Sequence, residues 1–240
     1  AACFDSDTGK VIVTARDASS GSHGKAVVGT VSGNTISFGT PTNYLSATTS
    51  WQAAVYDSVN KKVVIFYNAA LAPSYVSTGY AIVGTVSGTS ISFGSAVAFT
   101  TQNPAYTAAS FDSSSGKIVV AFTAQSGSNY ATSVVGTVSG TSISFGSDVV
   151  FRSANTGEFA CVYDTNADKT VICYRESSVT GAGEGIVGTV SGTSISYGTA
   201  VQFDTAPVTE VRAAYDSLTN QIICAYTKVT VKTVLGTVSG

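Results

Sequence analysis

The eleven residues Gly136-Thr-Val-Ser-Gly-Thr-Ser-Ile-Ser-Phe-Gly146 decide how this chain is read. The same string stands at residues 84–94, near-copies stand at 29–39 and 188–198, and a fifth copy runs from 236 to 240. Val134, Val135 and Val138 make one strand, Gly140-Thr141 suits a two-residue type II′ turn with glycine first, and Ile143 and Phe145 open the return strand. Five hairpins in 240 residues imply five copies of a larger unit, the signature of a propeller or a solenoid.

Working outward, each hairpin is preceded by an aspartate that ends a segment of small residues: Asp5, Asp57, Asp112, Asp164 and Asp216, at spacings of 52, 55, 52 and 52. Four residues after each stand Gly9, Lys61, Gly116, Asp168 and Asn220, and all but Lys61 are types that tolerate a left-handed backbone. In the third repeat this gives a first strand at 107–111, a second at 117–122, a third at 133–139 and a fourth at 142–151. The second strand is apolar at every position from Ile118 to Phe122, so both of its faces are expected to be buried. The fourth alternates Ile143, Phe145, Val149 and Phe151 against Ser144 and Gly146, which suits an outer strand with one wet face.

The first strand carries Ala1, Ala53, Ala108 and Ala160 in one column and Ala2, Ala54, Ala109, Cys161 and Ala213 in the next, small side chains suited to crowding around an axis. The expected fold is therefore all-β, a five-bladed β-propeller of four-stranded antiparallel blades in a single domain 1–240. Its repeats fall at about 1–50, 51–105, 106–157, 158–209 and 210–240, and the last blade lacks its outer strand. Residues 234–239 would then form an open edge, through which the chain could associate with itself.

Only 11% of residues are charged, the net charge is −2 and the pI is about 5.2, so there is no basic stripe to neutralise phosphates and nucleic acid is excluded as a partner. No apolar run reaches the length of a membrane span. A polar surface built from Ser, Thr, Asn and Gly points to a secreted, extracellular protein. The absence of methionine and the start at Ala1 point to a processed product or a piece of a longer chain.

Four cysteines permit disulfides: Cys161 and Cys173 lie on two strands of one hairpin, and a Cys3–Cys224 bridge would tie the first repeat to the last. The alternative is four small buried thiols. No cofactor is expected, and His23, the single histidine, excludes a multi-histidine metal site.

The near-invariant turns fall on one face of the repeats, and the divergent segments fall on the other. Those segments are the second turns at 17–25, 68–80, 124–132, 175–185 and 228–232 and the crossings at 44–51, 100–106, 152–158 and 204–210. A ligand is expected on the divergent face. Six residues before the repeated aspartates stand Trp51, Tyr106, Glu158 and Glu210, and Tyr75, Tyr80, Tyr130 and Arg175 lie in the second turns. Aromatic faces stack on sugar rings and carboxylates accept hydrogen bonds from hydroxyls, so a glycan or other cell-surface ligand fits this set.

In repeat length near 50, blade count and paucity of charge the chain looks like five-bladed propeller lectins of the tachylectin-2 type. The resemblance is architectural and carries over no binding residue. The VSGTSISFG units also resemble repeats of long secreted or tail-fibre-like proteins of marine microbes and their phages. Together these readings lead to an extracellular, non-enzymatic recognition or adhesion module that binds carbohydrate. Two other readings stand beside it: a structural subunit that builds fibres through the open edge, and a glycoside hydrolase using Glu158 and Glu210.

Overall fold

The aspartate turn is the most regular feature of the computed structural model, which describes residues 1–177, 180–228 and 230–238. Asp5 Oδ1 accepts the backbone N–H groups of Asp7 and Thr8 at 3.0 and 3.1 Å. Asp57 repeats this with Val59 and Asn60, Asp112 with Ser114 and Ser115, and Asp164 with Asn166 and Ala167. A short polar side chain thus satisfies donors that a tight turn would leave orphaned. The turn closes through a left-handed residue in all five repeats, with φ of 67° at Gly9, 55° at Lys61, 64° at Gly116, 53° at Asp168 and 54° at Asn220. Lys61 adopts it despite its side chain.

Each aspartate ends a first strand and leads into a second and a third. In the second repeat these are Ser50–Asp57, Lys62–Ala70 and Ser77–Ser87, paired antiparallel in that order. The second strands are buried on both faces as expected: Ile118 through Phe122 have no exposed surface. The hairpin is also as expected. Gly33, Gly88, Gly140 and Gly192 have φ between 55° and 62° and the residue after each does not, which is the type II′ pattern that only glycine enters without strain.

The fourth strand departs from the single segment expected at 142–151. It breaks in two, and both pieces pair with the third strand: Ser90–Phe93 lies along one half of Ser77–Ser87 and Val97–Thr100 along the other. The break falls at the glycine that ends the repeated string. A β-carbon on Gly39, Gly94 or Gly146 would overlap the carbonyl oxygen of Thr89, Thr141 or Thr193, in the hairpin turn of the following repeat. The chain steps away from its partner strand where that turn presses against it.

The segment 152–158, expected as a crossing loop, is strand. Val149–Asp164 runs unbroken, its first part paired with Tyr130–Ser139 of the third repeat and its second with Lys169–Glu176 of the fourth. The fifth repeat consists of Thr209–Asp216, Gln221–Thr227 and Val231–Gly236. Among the described residues its third strand pairs only with the second. Ser239, at the end of the expected open edge 234–239, lies outside the described residues.

The chain divides into two compact units, Ala1–Pro104 with Thr137–Ser144, and Ala105–Gly136 with Phe145–Gly240. The core of the first is Ile12, Val28, Val63, Ile65, Tyr67, Ile82 and Ile91, so the isoleucine of the second hairpin packs on the first repeat. In the second unit Ile195 packs in the same way on Val119 and Val135. Ile36 of the first hairpin has no such neighbour among the described residues and is 45% exposed.

Candidate functional site

The column Trp51, Tyr106, Glu158 and Glu210 has a property that its composition does not announce. All four residues are left-handed, with φ of 51°, 52°, 57° and 54°. The pairing register slips at the same place in three repeats, between Ser50 and Ala53, Gly157 and Ala160, and Thr209 and Arg212. In these three repeats the first strand therefore starts with a β-bulge that re-aims one side chain, and in the last two the next residue points inward: Phe159 is 7% exposed and Val211 fully buried. Bulky residues in this conformation cost about 1–2 kcal/mol each relative to glycine, and such strain concentrates at functional positions.

In the second unit the structure brings three of the expected site residues together. The Tyr106 ring covers the backbone of Gly157, so that a β-carbon there would lie 3.1 Å from it. Gly157 pairs across the sheet with Arg175, whose side chain therefore leaves the sheet on the face that Tyr106 covers. Arg175 Nε donates to Ser177 Oγ at 2.9 Å. Glu158 follows Gly157 on the bulge, is half-buried, and makes no hydrogen bond or ion pair with any other described residue. Two buried hydroxyls beside the column, Thr107 Oγ1 and Thr156 Oγ1, also have no partner.

Glu210 stands on the first strand of the next repeat, exposed and paired with Arg212 at 3.1 Å. Tyr130, expected in a turn, instead begins the third strand Tyr130–Ser139, in register with Ala124 and Asn155.

In the first unit Trp51, 42% exposed, lines a cleft of about 290 Å³ with Arg16, Thr49, Ser50 and Gln52. Gln52 Nε2 donates to Thr49 Oγ1 at 2.8 Å, which fixes one wall. Tyr75 sits at a turn, 71% exposed, with its N–H on Leu71 O. Tyr80 is not ligand-facing surface: it stacks on the buried Tyr67 with ring centroids 5.8 Å apart.

Sequence reasoning missed a polar cluster inside the fourth repeat. Glu184, 8% exposed, accepts from Arg152 Nη2 at 2.9 Å and from Tyr174 Oη at 2.7 Å. Burial and the adjacent carboxylate push the Tyr174 hydroxyl far above the ordinary tyrosine range, so it stays a donor. The signal was a glutamate inside an otherwise apolar third strand. A counterpart is Asp204, at the end of the fourth repeat, which accepts from Tyr226 Oη and Lys228 Nζ of the fifth at 3.1 Å each.

All four cysteines are free thiols, as in the alternative reading, and neither disulfide that the sequence permitted, Cys3–Cys224 or Cys161–Cys173, is present. Cys161 lies 3.1 Å from Ser110 Oγ, and burial pushes its thiol up to about 12.

No protein-family model and no curated protein matches the chain. Solved structures do. A sialidase of Streptococcus pneumoniae, NanB, aligns over 85% of this chain at 11% identity with a TM-score of 0.56. The leech intramolecular trans-sialidase aligns over 99% at 10% identity (TM-score 0.44), and that of Ruminococcus gnavus over 98% at 10% (TM-score 0.39), covering 67% and 93% of those proteins. The chain spans about a third, 32%, of the NanB structure. The first likeness shows an all-β, propeller-like fold built of antiparallel sheets. It corrects two expectations: the matched structure is a sialidase and not a five-bladed lectin, and the reading as a non-enzymatic recognition module is withdrawn.

Proposed function

We propose that this chain is a glycan-processing protein, a glycoside hydrolase with Glu158 and Glu210 as its carboxylate pair. The observation that carries the reading is Glu158: a half-buried side chain with no partner among the described residues, held on a left-handed bulge next to Gly157, which Tyr106 covers and Arg175 pairs with. The fold-level likeness to a sialidase supports the same reaction class.

The chemistry needs two carboxyl groups flanking the glycosidic bond. The sugar ring stacks on Tyr106, one carboxyl group gives its proton to the departing oxygen as the C–O bond breaks, and the other takes a proton from the water that adds to the anomeric carbon. Arg175 pairs with an anionic or hydroxyl-rich part of the glycan. Five blades in one propeller and a secreted location belong to the same proposal, supported by the five sequence copies and by a surface rich in Ser, Thr and Asn.

The test is hydrolysis of a panel of aryl glycosides that includes a sialoside. Turnover of at least one member, lost by a factor of about 10³ or more in Glu158→Gln with the fold intact by circular dichroism, is expected. An inactive native protein across the panel sinks the proposal, as does an active Glu158→Gln variant.

A further inference from the structure

Within each unit, the joint between successive repeats is made of the same parts. The isoleucine of one hairpin shares a core with an aliphatic pair that is matched across the second and third strands of the repeat before it. Ile91 does so with Ile12 and Val28, and Ile195 with Val119 and Val135. Ile91, Ile143 and Ile195 are accordingly only 3–4% exposed. Tyr56, Val86 and Phe93 pack around Ile91 on the first of these cores.

The first and fifth repeats carry the two halves of such a joint uncovered. In the first, Ile36 is 45% exposed, and Phe4, Val31 and Phe38, which hold the places of Tyr56, Val86 and Phe93, are exposed with it. Ile36 is nevertheless already held as the joint requires. A β-carbon on Gly29 would meet its Cδ1 at 2.9 Å, just as one on Gly84 would meet that of Ile91 at 2.7 Å and one on Gly188 that of Ile195 at 2.6 Å. In the fifth repeat Ile223 and Leu235 hold the places of Ile12 and Val28 and pair in the same register, yet Ile223 is only half-buried and Leu235 is 58% exposed. A repeat whose outer face meets water normally carries polar side chains there. Both of these faces are hydrocarbon, and contiguous exposed hydrocarbon marks an interaction surface.

We propose that the first repeat of one molecule docks on the fifth repeat of a second copy of this chain, Ile36 settling on Ile223 and Leu235 as Ile91 settles on Ile12 and Val28. The occupant is a second copy because the internal joints show what each face accepts, and every molecule offers one face of each kind. The two faces differ, so the contact is heterologous, head to tail. It joins side chain to side chain and uses no backbone ladder at residues 234–239. It holds whether or not Glu158 is catalytic.

The test is sedimentation velocity of the native protein from about 1 μM to about 1 mM. The mass should rise with concentration above the 24.3 kDa of one chain. Ile36→Asp and Leu235→Asp each place an unpaired charge on one face, at an exposed position where the fold, followed by circular dichroism, should be unchanged. Each alone should raise the dissociation constant by about 100-fold or more. Mixed in equal amounts they should associate with the native constant and stop at two chains, because Ile36→Asp keeps its fifth-repeat face and Leu235→Asp its first-repeat face. A native protein that stays a single chain throughout overturns the proposal. So does native-strength association in either variant alone, or a mixture that fails to pair.

Discussion

The carbonyl oxygen of Thr193 occupies the space that a β-carbon on Gly146 would need. The same relationship joins Thr89 to Gly39 and Thr141 to Gly94, so the glycine that ends each hairpin is the seat for the turn of the next. Gly146→Ala should therefore destabilise the protein by about 1–3 kcal/mol. Gly198→Ala is the control, since its nearest neighbour, Val187 O, is 3.9 Å away, and it should stay within about 0.5 kcal/mol of the native protein. Urea denaturation of both variants checks this, and equal losses would mean that the close approach is not what selects glycine.

At Glu158 the backbone and the proposed chemistry want different residues. Glycine enters the left-handed region freely and alanine does not, so Glu158→Gly should be more stable than Glu158→Ala by about 1 kcal/mol, while both lose activity. Thermal melts of the two variants measure it. If alanine proves the more stable, the bulge rearranges and the residue is not held by its neighbours.

Acid should weaken the fold through the aspartate turns. Burial of Asp112 opposes its charge, but hydrogen bonds from Ser115 and Ser114 outweigh it and hold the carboxyl below the ordinary range; Asp5 behaves alike through Thr8 and Asp7. A carboxyl with a folded pKa below its unfolded value stabilises the fold above about pH 4, and that contribution disappears as pH falls through the folded value. The stability difference between the native protein and Asp112→Asn should accordingly be largest near neutrality and shrink below about pH 4. A difference that is constant from pH 7 to pH 3 would show that the charge contributes nothing.

Removing the donor to a buried carboxylate should be costly. Tyr174→Phe leaves Glu184 with only Arg152 and should cost about 1–3 kcal/mol in chemical denaturation. The double variant Tyr174→Phe with Glu184→Gln should recover part of that loss, because the remaining neutral group is cheaper to leave underpaired. No recovery would indicate that the phenol acts through packing alone.

How far this could be read beforehand depends on the range of the forces involved. The glycine-first turns, the aspartate caps and the doubly buried second strands each depend on residues within about ten positions, and all were legible. The column from Trp51 to Glu210 was legible as a position but not as a conformation, because the left-handed bulge exists only where the strand is forced into register with its neighbour. The split of the fourth strand was hidden for the same reason: the turn that presses on Gly94 lies some 47 residues further on, at Thr141.

The sequence by itself determined the repeat, the antiparallel hairpin of each copy and the alternation that buries one side of its outer strand, since hydrophobic period and turn chemistry act locally. Only the tertiary structure decided that Tyr106 and Arg175 meet at Gly157 beside Glu158, that Glu184 is satisfied by residues from two other strands, and that Cys173 and Cys224 fall in one buried cluster. Those are contacts between repeats or across strands, and their partners are chosen by how one sheet packs on the next.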